Sequence, residues 1–94
     1  MRVAPRVEPP GGVAGQKLDI IGAVGDPVDA GFAFDVQRKR DKGTWGVIGR
    51  SSTESFTFDA KRPGRYRFRT RLVDVATDQV SSWSPKRVVT ISPR

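Results

Sequence analysis

Arg65, Arg67, Arg69 and Arg71 occupy every second position of one run, and Tyr66, Phe68, Thr70 and Leu72 fill the alternate places. A guanidinium presents a fixed fork of donors that matches carboxylate or phosphate, and its flat face stacks on aromatic rings. The chemistry this spacing suits is attraction of an anionic partner. Reaction chemistry is poorly provided for. The 94 residues include no histidine, which removes the commonest general base and metal ligand. They include no cysteine, which removes disulfides and thiolate metal sites. Among the carboxylates, Asp26, Asp29, Asp35, Asp74 and Asp78 are read as lying in or beside turns, where aspartate caps backbone amides. The glycines from Gly22 to Gly25 lack the lysine and following helix of a phosphate loop. No catalysis, no cofactor and no bound metal are expected.

The period of two requires a β-strand, with rings on one face and guanidinium groups on the other. Other runs share the pattern. Leu18 and Ile20 alternate with polar neighbours within Gln16 to Val24, and Phe34 and Val36 alternate with Asp35 and Gln37 before Arg38-Lys39-Arg40. Asp41-Lys42-Gly43 signals a hairpin, with Trp45 to Gly49 as the returning strand. Phe56-Thr57-Phe58 is a short strand, and Lys61-Arg62-Pro63-Gly64 is a turn leading into a long strand from Arg65 to Val75. Ala76 to Ser82 reads as a loop and Trp83 to Ser92 as the last strand. Gly25-Asp26-Pro27 opens another turn. Residues 1–14, with Pro5, Pro9, Pro10, Gly11 and Gly12, read as an extended arm or first edge strand. No helix is expected. The prediction is all-β: a seven-stranded antiparallel β-sandwich of two sheets, the N-terminal edge strand counted, with the sandwich domain at residues 15–94.

The net charge of +7 is unevenly spread. Eleven Lys or Arg residues between Val36 and Leu72 face only Asp41, Glu54 and Asp59, so the whole excess lies mid-chain. Such a patch draws polyanions and steers association. An acidic protein surface or an acidic polysaccharide suits it. Sequence-specific nucleic acid does not, because no reading helix or series of exposed stacking aromatics is present. No apolar run approaches the roughly 18 residues of a membrane span. Residues 1–15 lack the apolar centre of a secretory signal.

Gly15-Gln16-Lys17-Leu18-Asp19-Ile20 resembles the second strand of bacterial immunoglobulin-like modules, and Phe34-Asp35-Val36-Gln37-Arg38 with Gly43-Thr44-Trp45 is similar to their third strand and hairpin. Phe56-Thr57-Phe58, Pro63-Gly64-Arg65-Tyr66 and Ser82-Trp83-Ser84-Pro85 resemble the second half of fibronectin type III modules. The resemblance spans about residues 15–92 and implies fold more than function. It implies that Tyr66 forms a tyrosine corner, its hydroxyl bonded to backbone a few residues upstream. It also implies that Trp83 lies beside the arginine face, stacked among Arg67, Arg69 and Arg71, with Arg38 and Arg40 or their neighbour Lys39 brought near. Phe34, Val36, Tyr66, Phe68 and Leu72 are expected in the core, and Trp45 in the core or at its rim. The function expected is a non-catalytic interaction module that docks on or decorates a larger assembly, such as a phage-type virion surface or tail. The alternative is a carbohydrate- or cell-envelope-binding (adhesion) module, or a spacer, of a longer secreted protein. A virion or cell surface is the expected place of action.

Overall fold

The structure, a computed structural model, describes residues 5–21, 31–52 and 55–93. The turn expected from Gly25 lies outside them, with Asp26 and Asp29. The described chain is all-β, with eight strands: β1 (Arg6–Glu8), β2 (Gly12–Val13), β3 (Gln16–Ile21), β4 (Phe32–Arg40), β5 (Gly46–Ser51), β6 (Ser55–Ala60), β7 (Gly64–Asp74) and β8 (Arg87–Ser92). They form a three-stranded sheet in the order β1-β3-β6 and a five-stranded sheet in the order β2-β8-β7-β4-β5. No helix is long and apolar enough to cross a membrane among the described residues.

Sequence reading counts seven strands, and the eighth comes from the N-terminal segment. β1 pairs antiparallel with β3 in one sheet, whereas β2 pairs parallel with β8 in the other. Pro9-Pro10-Gly11 carries the chain between them. Two prolines without an amide donor cannot continue a ladder, so pairing stops there and resumes on the other sheet. The segment is embedded: Val7 is buried in the core, and Arg87 Nε donates to Pro5 O at 3.0 Å.

The alternation in β3, β4, β7 and β8 places one apolar row from each strand between the sheets. Leu18 and Ile20 meet Phe34, Val36, Tyr66, Phe68, Val89 and Ile91, all essentially without exposure. Phe58 on β6 joins the layers. Its ring lies edge-on to Tyr66 at 5.6 Å and to Phe68 at 5.5 Å. Such contacts contribute about 0.5–1.5 kcal/mol each beyond area burial. Two sheets sharing one apolar interior are compatible with a β-sandwich.

Leu72 departs from expectation. It is half-buried and outside the core, while its neighbour Val73 is fully buried. Val73 pairs in register with Ala33 and forms an isolated bridge with Val80. Alternation therefore marks the inner face correctly through Thr70, but burial near the end of β7 follows local cover and not parity.

The entry to β7 is held at several points. The Tyr66 hydroxyl donates to Arg62 O at 2.6 Å, and Arg40 donates through Nε and Nη2 to Pro63 O at 3.0 and 2.7 Å. Asp41 Oδ1 accepts from Arg65 N at 2.9 Å. Gly64 has φ of 147°, and a Cβ there would lie 2.9 Å from the Asp41 carboxylate, so this turn requires glycine.

β5 carries a bulge. Val36 pairs with Gly49 and Gln37 with Val47, leaving Ile48 as the extra residue. The Phe56 ring from the other sheet lies against the Gly49 Cα, where a methyl group would overlap it. Gly49→Ala is expected to lower stability by about 1–3 kcal/mol. Urea denaturation checks this, and an unchanged midpoint would show that Phe56 moves aside freely.

Candidate functional site

Strand register decides which residues share the outer face of the five-stranded sheet. Arg67 lies opposite Lys39, Arg69 opposite Gln37 and Arg71 opposite Asp35. Arg50 on β5 lies opposite Asp35 from the other side. Of the expected neighbours of the row, Lys39 joins it, and the expectation for Arg38 and Arg40 is corrected. They pair with Phe68 and Tyr66, so they share parity with Phe34 and Val36 and turn to the opposite side of the sheet.

Asp35 corrects a second expectation. It caps no turn, but sits mid-strand with 3% exposure. Arg50 Nε donates to its Oδ1 at 2.7 Å and Arg71 Nε to its Oδ2 at 3.1 Å. Burial pushes the Asp35 carboxyl pKa up, but the hydrogen bonds and charges of Arg50 and Arg71 outweigh it and hold it below its ordinary value. The bonds to Asp35 raise the Arg50 pKa further. Asp74, by contrast, does cap a turn, its Oδ1 accepting from Ala76 N at 3.1 Å.

Trp83 reaches this face through a local exchange of partners. Residues 81–86 are not regular strand, and β8 begins only at Arg87. The ladder beside β7 is maintained with serine hydroxyls. Ser81 Oγ accepts from Leu72 N and Ser84 Oγ from Thr70 N, both at 2.9 Å. The backbone amides of the same serines donate to Leu72 O at 2.9 Å and Thr70 O at 2.7 Å. Hydroxyl acceptance thus satisfies buried β7 donors where Pro85 interrupts the strand.

The Trp83 ring then lies 4.4 Å from the Arg71 guanidinium and 4.9 Å from that of Arg69. Trp45, expected in the core or at its rim, is half-buried on the outer face instead, with its ring 4.1 Å from Arg69. The bulge sets the parity that sends Trp45 and Val47 outward. Arg69 is thereby held by two indoles, and its Nε donates to Gln37 Oε1 at 2.7 Å. Each cation–π contact contributes about 0.5–1 kcal/mol at such partly exposed positions.

The cations of the row thus differ in what they can offer a partner. Arg69 and Arg71 are oriented by internal contacts. Arg67 is half-buried and donates through Nη1 to Asp41 O at 3.0 Å, while Arg65 is exposed. Lys39 is half-buried beside Arg67, and Val47 stands 58% exposed next to this group. The arrangement is a rigid surface of guanidinium and indole groups with an apolar edge. Sequence reading missed Asp35, Gln37, Arg50, Ser81 and Ser84 as its supports. The parity of β4 was readable, since Phe34 and Val36 inward require Asp35, Gln37 and Lys39 outward. The Ser81 and Ser84 hydroxyl bonds left no sequence signal.

No protein-family model matches this chain, and no curated protein matches it either.

Proposed function

We propose that the chain is a non-catalytic interaction module that docks on a larger assembly through the outer face of its five-stranded sheet. The partner is an acidic protein surface, and a phage-type virion is the assembly that suits it. The observation that carries this reading is Arg69, clamped between Trp45 and Trp83 and bonded to Gln37. Tryptophan and arginine are the residues enriched at the energetic centres of protein interfaces. An arginine already held in one orientation loses less side-chain freedom on binding. The surrounding cations speed encounter with an acidic surface.

An immunoglobulin- or fibronectin type III-like fold is part of the same reading. The order β8-β7-β4-β5 beside β1-β3-β6 is that of such sandwiches, and the Tyr66 bond to Arg62 O supports a tyrosine corner. The carbohydrate-binding alternative needs an open indole face for the sugar. Arg69 lies against both rings, which favours the protein partner. The N-terminal arm has a lesser part in docking, because β1 and β2 are already paired.

The test places a photo-crosslinking side chain at Val47 and, separately, at the exposed Lys17 of the other sheet, in cells that make the natural assembly. Crosslinks to one protein from position 47 only, lost with Arg67→Glu, are expected. Equal crosslinking from position 17, or glycan binding abolished by Trp83→Ala, would overturn the proposal.

A further inference from the structure

Arg38 and Arg40, absent from the outer face, meet at the end of the molecule beside the turn into β7. There they line a cleft of about 300 Å³ together with Lys61 and Arg62. Asp59 is the one acidic residue among its lining groups, and the rings of Phe58 and Tyr66 form its apolar wall. The cleft therefore gathers four cations, offset by Asp59 and by Asp41, whose carboxylate lies 3.9 Å from Arg40 Nε at its edge.

Two further observations show that Arg38 lacks an acceptor. Arg38 Nε is buried and has no hydrogen-bond partner among the described residues. Its guanidinium stands 5.8 Å from the Phe58 ring centroid, and no ion pair forms with it among the described residues. A buried charged donor without an acceptor is costly, and a turn of the Arg38 side chain toward the cleft would let an incoming oxygen satisfy it. The backbone at one side is already fixed, since Arg62 O is tied to the Tyr66 hydroxyl and Pro63 O to Arg40. Binding would have to order the exposed Lys61 and Arg62 side chains but not the backbone that carries Arg62.

The geometry points to this cleft as a binding site for a phosphate group. A carboxylate supplies one negative charge and leaves part of the excess in place. A phosphate dianion offsets more of it and offers several acceptor oxygens to a guanidinium fork. The aromatic wall suits an organic body next to the phosphate. The site lies on other residues than the docking face, so each reading can fail without the other.

The test follows the Arg38 Nε–H and the backbone amides of residues 58–62 by NMR, at constant ionic strength. Inorganic phosphate is expected to shift them saturably, and acetate much more weakly. Arg62→Gln, an exposed position that leaves folding intact, is expected to weaken binding about tenfold. Arg38→Gln should abolish it, while Lys86→Gln, at an exposed position away from the cleft, should change nothing. Phenyl phosphate binding tighter than inorganic phosphate would identify a phosphate ester as the ligand, and the reverse order free phosphate. Shifts that do not saturate, that acetate reproduces, or that Lys86→Gln weakens as much as Arg62→Gln would overturn the site.

Discussion

Asp35→Asn is expected to lower the free energy of unfolding by about 2–3 kcal/mol at neutral pH, because it weakens two charge-assisted hydrogen bonds at a buried position. Its arginine partners are less buried than Asp35, with side chains 48% and 27% exposed for Arg50 and Arg71. They can recover part of their hydration, which keeps the loss below that of stranding a fully buried charge. The change also reaches Trp83. Without the carboxylate, Arg71 loses the bond that orients it against that ring, so tryptophan fluorescence should change in the folded state.

The pH dependence gives the same prediction a sign. The Asp35 pKa is lowered in the folded protein from its ordinary value of 3.8. The unfolded chain therefore takes up this proton first as the solution is acidified. The stability Asp35 contributes is complete above its unfolded pKa and is lost as pH falls through the folded one. Urea denaturation at a series of pH values should show wild type and Asp35→Asn far apart at neutral pH and converging in acid. A difference that stays constant from about pH 7 to pH 2 would sink this account.

Phe68→Ala is expected to have the largest effect of any single truncation, about 3–5 kcal/mol. Phe68 is fully buried, lies edge-on to Phe58 at 5.5 Å and parallel to Tyr66 at 6.0 Å. Removing it opens a cavity on the five-stranded sheet where the other sheet packs. For a domain of this size, total stability is about 5–15 kcal/mol, so a large fraction is lost. Leu72→Ala provides the comparison. The two residues share parity on β7, but Leu72 is half-buried and outside the core, so its truncation should cost clearly less. Thermal unfolding followed by circular dichroism distinguishes them. Equal losses would mean that parity alone governs packing along this strand.

The sequence by itself determined the all-β class, the long strand with its inward Tyr66 and Phe68, the hairpin after Arg40 and the basic character of one sheet face. Each is local: the period of two, the turn residues and the clustered arginines are read along the chain without knowing what packs where. The tertiary structure decided what the arginines do. Register sent Arg38 and Arg40 away from the row and placed Gln37 and Asp35 beneath it. The β5 bulge turned Trp45 outward onto Arg69. Serine hydroxyls bridging a proline-interrupted strand brought Trp83 to the other side of that arginine. These outcomes depend on pairings between residues tens of positions apart, and a shift of one residue in any of them exchanges the two faces of a strand. Composition states how many cations the chain carries, but only the ladder determines which are neutralised, which are stacked and which line a cleft.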